Sequence, residues 1–278
     1  MAYPVVSAPY GLLPQNLIGG QVFAGSTRMY NIQYGYATNI FYGDFVVLSR
    51  GFATRAAVAA GTGLNQTVGI FLGCTFTNPT TKQKLFSQYW PASTAAGDCQ
   101  AYILDDPDAV FKAVVCSSGT TVASGALAMI GTNLSAINNA TGNTNTGNSS
   151  NAVLAPTDTP VTTTLPLRMV GVVPETAVSL GTATFSSGTS TLTVSALPFA
   201  LPIGTDVSVL TTSGQVAQTG SFVKTAAAAG ATSVVLDQAA TFTLNSGVYT
   251  STVVFTQYPE ILVKMNQALH GYYSATGA

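Results

Sequence analysis

Three carboxylates crowd into the stretch DDPDAVF (105–111), where Asp105, Asp106 and Asp108 fall within four positions of a chain that has only 10 acidic residues in 278. Such a concentration suits either a divalent cation or a turn. A calcium loop takes oxygen ligands at alternating positions, a glycine at its sharp bend and a bidentate glutamate to close it. The three aspartates begin that series, but residues 111–118 add neither Glu nor Gly. Pro107 instead sits where a type I turn favours proline, with Asp106 at the first position and able to accept a backbone N–H. The turn is the better reading. A pair of glycosidase acids needs two carboxylates set apart across a sugar cleft, which one turn does not supply.

Other residues with chemical potential are sparse. A hydrolase of the usual kinds sets a base beside a nucleophile, and the only histidine, His270, reads as a surface or interface residue. Zinc takes several His or Cys at close spacing. Cys74, Cys99 and Cys116 are widely spaced and odd in number, so they read as reduced, small core residues, which suits assembly in a cytoplasm. GTGLNQTVG (61–69) has Gly61 and Gly63 but no P-loop lysine, and reads as a hairpin loop. FSQYWPAS (86–93) holds the only tryptophan, Trp90, which reads as a core or interface anchor where a strand ends, with a ligand platform as the alternative. No catalytic, cofactor-binding or metal-binding residue is assigned.

The elements that position these residues are strands. Apolar and β-branched runs alternate with Gly, Asn, Ser, Thr and Pro clusters, as in DFVVLSR (44–50), TVGIFLGCTF (67–76), QAYILD (100–105), AVFKAVVC (109–116) and LRMVGVV (167–173). EILVKMN alternates apolar and polar residues as a closing strand does. Helical periodicity is confined to GALAMIGTNLSAI (125–137), where an internal Gly and Thr weaken it. NNATGNTNTGNSSNA (138–152) has no hydrophobic residue beyond alanine, and the expectation is an exposed loop. APTDTPVTTTLP (155–166) reads as an extended, edge-like connection.

From about residue 180 the texture changes. GTSTLTVSALPFALPIGTDVSV (188–209) and GATSVVLDQAATFTLNSGVYTS (230–251) align with a one-residue gap, so the sequence predicts a small β module built from two hairpin-like repeats. The expected organisation is an extended N-terminal arm over 1–42, a β-rich body of 43–178 plus 254–278, and an inserted module over 179–253. The fold class is all-β, with a β-sandwich or barrel-like body. Residues 1–42, rich in Pro and Tyr, have little to bury among themselves, and the arm is expected to grip a neighbour.

Composition narrows the function. Charged residues make up 7% of the chain, against a usual value of roughly 25%. With a net charge of −1 there is little repulsion between copies, which favours an assembly. Arg28, Arg50, Arg55, Lys82, Lys84, Lys112, Arg168, Lys224 and Lys264 are scattered, without the cluster that neutralises several phosphates, so nucleic acid is not an expected partner. The N-terminus MAYPVVSAPYGLLP has no basic region ahead of an apolar one and reads as no export signal. The mean hydropathy of +0.36 comes from Ala, Val and Leu spread through the chain, and a membrane is not an expected partner.

Two stretches, VGIFLGCTFTNPTTKQKLFSQYWPAS (68–93) and AYILDDPDAVFKAVV (101–115), resemble a run found in structural proteins of tailed bacteriophages, especially phages of aquatic bacteria and cyanobacteria. The likeness continues in TTTLPLRMVGVVP (162–174) and EILVKMNQALHGYYSATG (260–277), while the repeat region is similar to small β units attached to various phage proteins. The resemblance implies a virion component, foremost a capsid decoration (cement) protein on the outer face of the head. It would bind the major capsid protein and its own copies, commonly as a trimer, after assembly in the host cytoplasm. A tail, head–tail or fibre-base part is the alternative within that class. A carbohydrate- or receptor-binding virion protein, using Tyr89 and Trp90 or the repeat module, is the alternative from another class.

Overall fold

The runs at 69–77 and 109–116 are apolar almost throughout because the strands they form are buried on both faces. The protein is described by a computed structural model over residues 6–17, 20–21, 25, 27–56, 64, 66–155, 164–180, 183–184, 189–194, 196–197, 200–210, 216–239 and 252–273. It is nearly all β, as expected. The body strands are β1 (Leu13–Leu17), β2 (Arg28–Asn31), β3 (Phe45–Ser49), β4 (Phe52–Arg55), β5 (Gly69–Thr77), β6 (Lys84–Ser87), β7 (Gln100–Leu104), β8 (Ala109–Ser118), β9 (Thr121–Val122), β10 (Asn133–Leu134), β11 (Ala136–Ile137), β12 (Ala152–Leu154) and β13 (Leu167–Val172). Then come the module strands β14 (Val178–Leu180), β15 (Ala183–Thr184), β16 (Thr191–Val194), β17 (Asp206–Leu210), β18 (Val216–Phe222), β19 (Ser233–Val235) and β20 (Thr252–Gln257), before β21 (Glu260–Met265) returns to the body.

One body sheet runs β2-β7-β5-β3-β4, with β6 also on β5, and curls into a nearly closed barrel. The other runs β10-β13-β21-β8-β12-β11, with β1 and β9 added to β8. Side chains alternate faces along a strand, and a bulge between Phe71 and Gly73 shifts that alternation by one residue, so β5 sends Phe71, Cys74 and Phe76 into the barrel with Ile103 and Trp90, and Ile70 into the core between the sheets. There Ile70 meets Phe45, Leu104, Phe111, Val115 and Val263. β8 is likewise two-sided: Phe111, Ala113 and Val115 face that core, whereas Val114 and Cys116 lie under Val6 and Ala152. The β3–β4 hairpin turns through Arg50 and Gly51, both at positive φ (52° and 83°), the geometry of a tight two-residue hairpin.

The N-terminal segment is extended, and its described residues lie on the chain's own body. Leu12 is wholly buried, and β1 pairs antiparallel with β8. The segment enters where Gly11 (φ +85°) and Gly43 (φ +88°) cross, since a Cβ on either would lie 2.9 Å from the other's Cα. Ile32, Ile40 and Phe41 are also buried, the first two in the barrel core. These residues bury against later strands of the same chain and not among themselves, a partner that local composition does not display.

No helix forms over 125–137. A single 3-10 turn at Leu127–Met129 is followed by Gly131 at φ +90°, whose N–H bonds Met169 O, while Met169 N–H bonds Thr132 O. Pairing with β13 outcompetes weak helix propensity.

The module is inserted between β13 and β21, which are antiparallel neighbours in the body. It has its own core of Leu192, Val194, Leu201, Val207, Val223, Val234, Val253 and Phe255. With Gly188 aligned to Gly230, Leu192 corresponds to Val234, and these two residues face each other in the β16–β19 ladder. On either side Thr191 meets Val235 and Thr193 meets Ser233, so equivalent positions exchange places about a local two-fold. With the gap placed before Gly204 and Gly247, Val209 and Leu210 correspond to Thr252 and Val253, and the β17–β20 ladder makes the same exchange. The pairing supports a duplicated unit, although residues 240–251 of the second copy lie outside the described residues.

Candidate functional site

The carboxylate cluster is a turn. Asp106 O accepts from Ala109 N–H at 3.1 Å and Asp106 Oδ1 from Asp108 N–H at 2.8 Å, with Pro107 at the second position. The other acids are committed outward. Asp105 Oδ2 lies 2.9 Å from Arg28 Nε and accepts from the Tyr272 hydroxyl at 2.5 Å, and Asp108 Oδ1 lies 3.2 Å from Lys264 Nζ. Each acid therefore joins β7 or β8 to another part of the chain. Among the described residues no group of three or more His, Cys, Asp or Glu is arranged to hold a metal ion.

The most concentrated buried polar group is one that the charge pattern did not single out. Asp44, wholly buried where β3 begins, accepts at Oδ1 from Ser149 Oγ (2.5 Å) and Asn151 Nδ2 (3.0 Å), and at Oδ2 from Phe41 N–H (2.8 Å). Arg55 at the end of β4 brings Nε to 3.4 Å from Oδ2 and turns its two terminal nitrogens to the carbonyls of Asn139 and Ala140. Burial pushes the Asp44 carboxyl up to about 6, against the opposing pull of Phe41 N–H, Ser149 and Arg55. The arrangement ties the 138–152 stretch to the barrel.

That stretch is the exposed loop expected from its composition only in its middle, over 143–146; its two ends are buried. Asn138, Ser149 and Asn151 are buried, Gly142 bridges Ser149, and Tyr42 N–H bonds Gly147 O at 2.9 Å. Its side chains satisfy buried backbone and charged groups instead of burying apolar area. The available signal was Asp44 itself, a lone acid inside the aromatic run NIFYGDF (39–45).

Trp90 is a core anchor. Its ring is wholly buried, stands edge-on to Phe76 at 5.4 Å and donates from Nε1 to Tyr36 O at 3.3 Å. No face remains for a sugar, and Tyr89 is stacked on Phe41 at 5.5 Å. His270 departs from expectation, being 1% exposed. It bridges Thr67 behind the core, beside a cavity of about 10 Å³ lined by Phe45, Leu64, Pro166, Met265 and Leu269, which is no larger than one water. GTGLNQTVG lies partly outside the described residues; Leu64 is buried and Thr67 takes part in that bridge.

The three cysteines are free and buried, and burial raises their thiols, Cys74 to about 12 and Cys99 and Cys116 to about 11. Thiols so protonated are poor nucleophiles. Among the described residues no helix is long and apolar enough to cross a membrane. Compared with known protein families, curated proteins and solved structures, the chain matches none of them.

Proposed function

We propose that the chain is a non-enzymatic virion structural protein, a capsid decoration protein that binds the outer face of a tailed-phage head and stabilises it. The observation that carries the reading is where the stretches similar to tailed-phage structural proteins fall. Residues 68–93 and 101–115 span β5 to β8, and residues 162–174 and 260–277 contain β13 and β21. Of these, β13, β21 and β8 are successive neighbours in one sheet, and β5 lies between β6 and β7 in the other. The likeness therefore concerns a scaffold and not scattered surface loops.

Two further features support it. Polar clusters at Asp44 and Asp105 are consumed in tying strands and loops together, and a chain with 7% charged residues carries little electrostatic penalty for close packing among copies. Capsid binding would draw on an interface of roughly 1,000 Å² or more, the usual size for stable association. The major capsid protein and sister copies, commonly in a trimer, are the partners this reading names.

Electron microscopy of virions carrying a gold-labelled chain tests the location. Regular label over the head supports decoration; label confined to the tail moves the protein to a tail or fibre-base role. Unlabelled particles overturn the virion reading altogether.

A further inference from the structure

After β21 the chain turns back across the barrel edge, and the turn is held from both ends. Gln66 N–H bonds Leu269 O at 3.0 Å, and Gly271 N–H bonds Thr67 O at 2.9 Å. Between them His270 is buried, and its Nδ1 accepts from Tyr272 N–H at 3.3 Å. An imidazole nitrogen accepts only while it has its lone pair, so this bond requires the neutral ring with its proton on Nε2. That Nε2 is buried without a hydrogen bond of ordinary geometry, and the backbone of Asp105 and Val68 lies close to the ring.

Tyr272 is also the latch. Its hydroxyl donates to Asp105 Oδ2 at 2.5 Å and meets the Tyr30 hydroxyl, and the Arg28 guanidinium lies 5.4 Å from its ring centroid. One residue thus joins the His270 ring to β2 and to the turn after β7.

We propose that Asn266–Tyr273 is an acid-released clasp, in which a proton taken up from solvent at His270 Nδ1 replaces the accepted Tyr272 N–H bond with two opposed donors and detaches Tyr272 from Asp105, Tyr30 and Arg28. The groups packed around the ring decide the direction. Burial depresses the imidazole pKa below its ordinary value, opposed by the backbone of Asp105 and Val68 and by the carboxylates of Asp105 and Asp106. Tyr272 and Tyr273 face it from its own segment, and Phe45, Leu64, Thr67, Pro166, Met265, Asn266 and Leu269 complete the surroundings without a charge. The closed clasp binds the proton less well than the open one, so acid shifts the population to the open form.

Because the chain has one histidine, its imidazole resonances report the switch without ambiguity. Nuclear magnetic resonance titration of the full chain from about pH 7.5 to 5 should place the His270 midpoint below its ordinary value of about 6.5. Amide protection at Gly271, corrected for intrinsic exchange, should fall at least about tenfold with the same midpoint, a change of about 1.4 kcal/mol, while Phe71 and Val263 hold theirs. His270→Asn, whose Oδ1 accepts from the Tyr272 N–H at every pH, should keep its protection. Tyr272→Phe, which keeps the imidazole but lacks the hydroxyl latch, should open at higher pH than the wild type. Constant Gly271 protection across the titration overturns the clasp, as does equal acid loss in His270→Asn or an unshifted midpoint in Tyr272→Phe.

Discussion

Asp44 and Arg55 face each other inside the body with Oδ2 3.4 Å from Nε, their side chains 0% and 4% exposed. Arg55 also holds two carbonyls of the 138–152 stretch, and Asp44 holds Ser149 and Asn151 within it, so the pair is shared between barrel and loop. Removing one partner of a buried ion pair leaves the other charge uncompensated, at a cost of about 3–5 kcal/mol. Asp44→Ala should lower the urea-unfolding free energy by that amount, and Ser149→Ala by about 1–2 kcal/mol. A loss below about 1 kcal/mol for Asp44→Ala would remove the pair from any structural role.

The same carboxyl gives a pH signature of defined sign. Its folded pKa, about 6, lies above the usual aspartate value, so its contribution to stability is fully present at low pH and is lost as pH rises through about 6. His270 acts oppositely: burial lowers its pKa, so its contribution is present at neutral pH and is lost as pH falls below the ordinary histidine range. Comparing wild type with Asp44→Asn cancels the histidine effect. The stability advantage of the wild type should grow between pH 7 and 5; a constant difference would mean that Asp44 does not titrate in that window.

The runs that were apolar at every position carried their meaning in the sequence. Ile70 and Phe71, adjacent in β5, serve two cores, and a strand buried on both faces has no polar side to show. The Asn-rich stretch did not, because hydropathy records what a side chain gains by leaving water and not which buried donors it satisfies. Asn151 is wholly buried because Asp44 needs it. His270 was illegible for a related reason: its burial depends on Thr67, some 200 residues earlier in the chain, and no local pattern encodes that bridge. The DDPD turn was legible since Pro107 and Asp106 act within their own turn.

Trp90 supplies an internal reporter for the barrel. Trp90→Ala removes a wholly buried ring and should cost about 3–5 kcal/mol. Trp90→Phe keeps an aromatic ring beside Phe76 and removes one of the two donors to Tyr36 O, which Ser93 N–H still reaches at 2.8 Å, for a loss of about 1 kcal/mol. Intrinsic fluorescence should be blue-shifted in the native state, and neutral sugars should leave it unchanged. A sugar-dependent shift would restore an aromatic binding platform.

Calcium offers the sharpest check on the three aspartates. A cation binds when carboxylate oxygens outcompete their existing partners, and here Asp105 is engaged by Arg28 and Tyr272, Asp106 by the Asp108 amide and Asp108 by Lys264. The two cations already near the turn would repel a third. Millimolar calcium, or its removal by chelator, should therefore leave the melting temperature unchanged. Asp106→Asn retains an oxygen for the Asp108 amide and should be nearly neutral, whereas Asp106→Ala strands that amide and should cost about 1 kcal/mol. If calcium raised the melting temperature and Asp106→Asn abolished the rise, the turn would be a metal loop whose arginine and lysine partners give way to the ion.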